Sequence, residues 1–407
     1  MNVIFVEPCF PRNQREFVRG LRQAGARVIG VGERPREAVD GELAGWMDHY
    51  ECVPSVCDVD AMAQVVRWLQ GKLWIDRLEA TVEAHILPVA QVREMCGIPG
   101  TSVRTAYLCR DKPAMKEALR EAGIPCAQST GASSPEEARE FAERVGYPLI
   151  AKPRSAAGAA GTSRLDSDED LERAIAEHGL EHGHSVALEE FVEGHEGFYD
   201  TLSIGGEIVH EFVTHYYPNV LEAMRTRWIS PQFITTNRLE HADGYDEVRE
   251  MGRRANEALG IETSATHMEW FFGPKGLRFS EIGCRPPGVG AWDLYCAAND
   301  FDLYHEWGEA IVHGRPVRQP SRRFAAGIVT LRPDQDGRVA GYEGLSTIQH
   351  ELGEHIIDCH FPEPGSPTQP PDAGYMANAW IRMRHPDYDE LRRMLDRVGE
   401  VVQMRAH

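Results

Sequence analysis

The sequence predicts an α/β fold with a parallel sheet at the N-terminus, an α+β core and a small β-rich C-terminal domain. Three observations carry that prediction. Residues 2–7, NVIFVE, read as an apolar strand, Gln14 to Ala24 has a helical period, and Arg27 to Val31 returns as a strand. The middle of the chain holds two hairpin patterns, turning at Gly205 and Gly206 and again between Gly273 and Gly276. Past residue 316 strands dominate again, in FAAGIVTLRP, GRVAGYEG, HIIDCHF and YMANAWIRM. These shifts divide the chain into 1–108, 109–315 and 316–407.

In order, the β-α-β opening begins a parallel sheet. Alternation continues through Tyr50 to Val53, a helix at Val59 to Gln70, the Leu78 to Thr81 region and a helix at His85 to Met95. The first turn, EPCFPRNQ, lacks the glycine triad that lets a backbone approach a pyrophosphate, which argues against a dinucleotide site there. Asp111, Lys112 and Pro113 open the helix PAMKEALREAG, with Asp111 as N-cap, Pro113 in the first turn and Gly123 as the stop. Lys112 at this positive end either favours a bound phosphate or is a surface lysine beside a cap.

Tyr147 to Lys152, YPLIAK, is a strand ending in a lysine, followed by the small-residue loop PRSAAGAAGTSR. Small residues let a backbone bend over a phosphate and point its amides inward. After a helix at Asp168 to Ala176, the strand Val186 to Val192 carries Glu189 and Glu190. An acidic pair there can accept hydrogen bonds from a base amino group or ribose hydroxyls, or can be an edge-strand charge. His178, His182, His184 and His195 read as solvated surface rather than a zinc site. Residues 207–235, with His215, Tyr216, Tyr217, Arg225, Arg227 and Trp228, either pack as core or flank a substrate pocket. Helices follow at Tyr245 to Leu259, at Asp300 to Val312 and in HPDYDELRRMLDRVGEVV.

Composition narrows the function. The 407 residues are 42% hydrophobic and 26% charged, as in an ordinary globular protein. With 43 Lys plus Arg against 63 Asp plus Glu, the net charge of −20 argues against a nucleic-acid or anionic-membrane binder. An anionic ligand therefore needs a local positive pocket. No apolar run reaches transmembrane length and the first residues do not read as a signal peptide, so a cytoplasmic location is expected. Nine cysteines without a CxxC pair are expected to be reduced packing residues.

The stretch HMEWFFGPKGLRFSEIGCR, residues 267–285, carries the sharpest signal. Pro274 suits the second position of a type I turn and Gly276 the left-handed residue of a three-residue loop with a bulge, so Gly273 is expected to pair with Leu277. Counting outward, Glu269 falls opposite Glu281. Two adjacent carboxylates repel unless a cation lies between them, and oxygen-only ligation fits Mg²⁺ or Mn²⁺. Arg285 adds a planar cation for an anion nearby. A solvated hairpin face with an incidental charge pair is the alternative.

Lys112, Lys152, the small-residue loop, LEEFVEGHE, and the set Glu269, Glu281 and Arg285 stand in the order used by the ATP-grasp superfamily. The sequence resembles its carboxylate-amine ligase branch, related to biotin carboxylase and bacterial L-amino-acid ligases. The resemblance implies an ATP-grasp core behind a Rossmann-like N-terminal domain. It implies that Lys112 and Lys152 contact nucleotide phosphates, and that Glu189 lies on the adenine side with Glu190 and Val192 near the backbone that reads the base. Glu196 would bind ribose, Glu269 and Glu281 would bind magnesium, and Arg285 would hold a substrate carboxylate or its phosphorylated form. The loop near Gly158 and Gly161 would close over the site. The chain departs from the pattern at Gly283, where many relatives carry an asparagine as a further metal ligand. The implied reaction uses ATP and Mg²⁺ to join a small-molecule carboxylate and an amine through an acyl phosphate, with an amino acid as one substrate. A biotin-carboxylase-like carboxylase and a non-catalytic nucleotide-binding regulator are the alternatives. Relatives alone supply the expectation of a homodimer.

Overall fold

Val3, Ile4, Phe5 and Val6 are all buried, and they divide by parity between two cores. Ile4 and Val6 pack with Ile29, Val31, Met62 and Val89, whereas Val3 and Phe5 pack with Phe17, Val28 and Trp307. A strand apolar on both faces belongs in a parallel sheet covered on both sides. It forms one, in the spatial order His49–Cys52, Arg27–Gly32, Asn2–Val6, Arg77–Glu79, every pairing parallel. The computed structural model describes residues 1–154, 161–240 and 243–407.

A second, antiparallel sheet orders Ser129–Ala132, Val186–Glu190, Leu149–Lys152 and Ser163–Leu165. The helices Pro135–Val145 and Asp168–Glu177 cover it through Phe141, Ala142, Leu171 and Ile175. Each helix starts at a serine cap, Ser134 and Ser167, whose hydroxyl accepts from a backbone N–H.

The third sheet has eight antiparallel strands. From one edge they are Gly276–Gly283, Ser264–Gly273, His195–Ile204, Glu207–Tyr217, Gln232–Thr235, Ala325–Leu331, Ala379–His385 and Ile356–His360. Three strands from beyond residue 316 thus extend the sheet that carries the Glu269–Glu281 hairpin; only Val339–Glu343 and Gln403–Ala406 form a separate pair. The fold is α/β as predicted, with a parallel N-terminal sheet and a larger antiparallel one.

Elements not foreseen include the helices Pro135–Val145, Ala291–Asn299 and Leu345–Leu352 and the strands Ser129–Ala132, Gln232–Thr235 and Gln403–Ala406. Ala291, Trp292, Leu294, Tyr295 and Ala298 of the helix Ala291–Asn299 are all buried, so it lacks the polar stripe that marks a surface helix. The following helix starts at Leu303 rather than Asp300, because the Asp302 carboxylate caps it by accepting from the N–H groups of Tyr304 and His305. All nine cysteines are free, yet Cys52, Cys57 and Cys359 are exposed, so packing does not account for those three. Among the described residues no helix is long and apolar enough to cross a membrane.

The helices Gln14–Gln23 and Leu303–His313 meet backbone to backbone. A Cβ at Gly20 would overlap the Tyr304 carbonyl and one at Gly308 would overlap the Gly20 carbonyl. Gly20→Ala or Gly308→Ala is therefore expected to destabilise the protein by about 3 kcal/mol, read as a lower midpoint in urea unfolding.

Candidate active site

The helix Lys112–Glu121 begins where the sequence places it. Asp111 caps it by accepting from the N–H of Ala114 at 3.1 Å, with Pro113 in the first turn. Its buried stripe is Lys112, Met115, Lys116 and Leu119, so two lysines share a face with two apolar residues. The strand Leu149–Lys152 brings Lys152 beside them. Glu189 pairs with Ile150 and Ala187 with Lys152, which puts Lys152 and Glu189 on one face of the small sheet.

Glu189 forms ion pairs with Lys116 at 2.7 Å and with Lys152 at 2.9 Å. Glu281, on the edge strand of the large sheet, pairs with Lys112 at 3.4 Å and with Lys152 at 3.6 Å. Burial alone would raise the Glu189 carboxyl, but Lys116 and Lys152 outweigh it and bring it down to about 2. Lys152 rises against its own burial under the pull of Glu189 and Glu281, whereas burial prevails at Lys116 and lowers it. The Glu189 Oε1 atom is buried and has no hydrogen-bond partner among the described residues.

In the hairpin Glu269 lies directly opposite Glu281, as the register count requires. The route to that pairing differs from the expectation. Gly273 pairs with Gly276 rather than Leu277, and the extra residue is Ser280, bulged out between the Trp270–Phe279 and Glu269–Glu281 pairs. Gly276 does take the left-handed conformation, at φ 73°. On the neighbouring strand Glu196 and Asp200 face the same side, because Glu196 pairs with Phe271 and Asp200 with His267. Burial and then the charge of Glu269 push Glu196 up to about 8. Its carboxylate accepts from the Val220 N–H at 2.6 Å.

Sequence reading passed over several groups at this site. Lys116 was legible from its helical spacing to Lys112. His267 stands two residues from Glu269 on the same face; its Nδ1 is 2.7 Å from Asp200 and its Nε2 is 3.6 Å from Glu269. Those carboxylates outweigh its burial and raise it to about 9. Tyr295 donates to the other Asp200 oxygen. Glu83, just past the parallel-sheet strand Arg77–Glu79, accepts from Arg285 Nε at 2.6 Å and from Arg110 Nη1 at 3.1 Å. Arg285, expected to face a substrate, thus has one guanidinium edge engaged by Glu83, while its Nη1 donates to the Pro286 carbonyl at 2.8 Å.

Glu190 points to the opposite face from Glu189, pairs with Lys275 of the hairpin turn and donates its N–H to the Gln128 carbonyl at 2.8 Å. Val192 lies just past the strand and is half-buried. Gly161 is exposed and left-handed at φ 68°, whereas Gly158 lies outside the described residues. His195 is not solvated surface. It is half-buried, 2.9 Å from His215, which in turn is 2.8 Å from the Tyr245 hydroxyl.

The lysines of the helix Lys112–Glu121 and of the small antiparallel sheet thus meet the carboxylate-bearing edge of the larger sheet. The L-amino acid ligase from Bacillus licheniformis has this fold, with a TM-score of 0.77 over 100% of this chain and 98% of that one at 16% identity. Residues 111–197 match the family described as carbamoyl-phosphate synthase L chain, ATP binding domain. Over those residues the chain is similar to an ATP-binding domain of the ATP-grasp kind. Among curated relatives, the L-arginine-specific L-amino acid ligase of Bacillus subtilis is 30% identical over 251 residues, 60% of each chain. The alanine–anticapsin ligase of Bacillus subtilis is 25% identical over 52% of this chain and 48% of its own. The matched region therefore spans about half of these relatives.

Two outcomes follow from the electrostatics. Lys116→Met leaves buried Glu189 with one cation fewer and is expected to destabilise the protein by about 3 kcal/mol; adding Glu189→Gln should recover part of that loss in urea unfolding. Burial, then His195 and Arg392, push His215 down to about 3 from an ordinary 6.5. Between those values the unfolded chain binds more protons than the fold. This contribution is therefore complete above about pH 6.5 and declines as pH falls toward 3. Thermal midpoints from pH 8 to pH 4 should drop less steeply in His215→Gln than in the parent.

Proposed function

We propose that the protein is an ATP-dependent carboxylate-amine ligase that forms an amide or peptide bond, with an amino acid as one substrate. The observation that carries this reading is the convergence of Lys112 and Lys152 on Glu281, opposite Glu269, in a protein of net charge −20. Three lysines from a helix and a strand provide the local positive field that a polyphosphate needs. The unpartnered Glu189 Oε1 is the acceptor offered to a hydrogen-bond donor of the nucleotide.

Among the described residues no cluster of three or more His, Cys, Asp and Glu side chains forms a metal cage. Two carboxylates nevertheless fit a hard cation that keeps waters and shares phosphate oxygens, so Glu269 and Glu281 would hold Mg²⁺ or Mn²⁺. When bound, that ion would neutralise phosphate charge. Lys112 and Lys152 exchange their contacts with Glu281 for phosphate oxygens, and Arg285 orients the substrate carboxylate. A carboxylate oxygen attacks the γ-phosphorus and ADP departs. The amine nitrogen then attacks the acyl phosphate, inorganic phosphate leaves, and the nitrogen loses a proton.

The test is phosphate release from ATP and Mg²⁺ across amino acids and small carboxylic acids, singly and in pairs, with mass detection. Release that requires one pair and yields their summed mass minus water is the expected result. Release with bicarbonate alone would indicate a carboxylase; ATP binding with no release under any condition would indicate a regulator. Glu281→Gln should reduce turnover by about 10²-fold or more while leaving the fold intact by circular dichroism.

A further inference from the structure

Gly283 and Glu83 are 200 residues apart in sequence, yet they occupy one space. A Cβ built on Gly283 would stand 3.0 Å from Glu83 Oε2, the oxygen that accepts from Arg285 Nε at 2.6 Å. A side chain at 283 would crowd that carboxylate, which would have to give by a few tenths of an ångström. The second Glu83 oxygen receives Arg110 Nη1 at 3.1 Å, and the same nitrogen lies 3.1 Å from the Glu83 carbonyl. Arg110 immediately precedes Asp111, the cap of the helix that carries Lys112 and Lys116. Arg285 lies two residues past Gly283, the last residue of the strand that carries Glu281. One carboxylate from beside the parallel sheet thus bridges the start of the lysine helix and the exit of the Glu281 strand.

We propose that Glu83 is a positioning residue that sets Arg285 relative to the lysines, and that Gly283 is the opening that admits it, so positions 83 and 283 work as a unit. With no side chain at 283, the space at the strand end is filled by the Glu83 carboxylate, which fixes the arginine beside the reacting groups. The Glu83 side chain is half-buried between two guanidiniums, so removing it frees Arg285 to swing. The kinetic part of this inference rests on the ligase reading; the structural part does not.

The test compares the parent with Glu83→Ala, Glu83→Gln, Gly283→Asn and the double variant Glu83→Ala/Gly283→Asn. Gly283→Asn alone should lower the thermal midpoint by about 3 °C, and in the Glu83→Ala background the same change should cost little or nothing. Binding of ADP with Mg²⁺, measured by titration calorimetry, should change less than about threefold in Glu83→Ala, since the Glu83 carboxylate is engaged by Arg110 and Arg285. With the substrate pair found in the release assay, Glu83→Ala should raise KM for the carboxylate by about 10²-fold while KM for ATP holds, and Glu83→Gln should fall between it and the parent. An equal midpoint cost of Gly283→Asn in both backgrounds would overturn the proposal, as would a Glu83→Ala enzyme with parental carboxylate KM. If no pair turns over, the ligase reading fails, and the midpoint cycle alone decides whether 83 and 283 are coupled.

Discussion

The ion chain from Lys116 through Glu189 and Lys152 to Glu281 is the constraint on which the site depends. A fully buried lysine is tolerated only with a close anion, and Glu189 meets that need for two lysines at once. Each member comes from a different element: the capped helix, two strands of the small sheet and the edge strand of the large one. The cores of the small sheet and of the hairpin belong to separate apolar clusters. Charge rather than apolar packing therefore joins the two sheets where the ligand is expected.

That arrangement leaves an imbalance on the large sheet. Glu196, Glu269, Glu281 and Asp200 share one face, and His267, Arg285, Lys112 and Lys152 oppose them. Glu196 responds by holding its proton up to about pH 8. A site that is short of positive charge while empty is matched to a ligand that arrives with a cation. The lysines beside it are matched to the phosphates such a cation accompanies.

Much of this was legible because it is local. The Asp111 cap, the strand ending in Lys152 and the Glu269–Glu281 pairing follow from spacing and turn chemistry within short segments. The pairing shows how a correct register can arise by another route: one extra residue was needed, and the chain places it at Ser280 instead of in the turn. Lys116 needed only the helical count from Lys112. Glu83 was beyond reach, because nothing in the sequence around it announces a partner 202 residues away. The C-terminal strands were readable as strands, but their joining of the large sheet depends on long-range pairing, as between Ala325–Leu331 and Gln232–Thr235.

Register is what lets one sheet serve as both core and site. Along His195–Ile204, Glu196, Phe198 and Asp200 face the carboxylates, while Gly197 and Tyr199 face the helix Asp246–Leu259. A slip of one residue would exchange the two sets and bury charge against that helix. Two glycines guard against it. The Tyr199 ring lies where a Cβ on Gly252 would be, and the Trp270 ring lies where one on Gly197 would be. Only an aromatic residue opposite a glycine fills each contact, so the packing on the far side of the sheet fixes which residues reach the near side. The chemistry of Glu196, Glu269 and Glu281 is in that sense held in place by Tyr199 and Trp270, on the opposite face of the sheet.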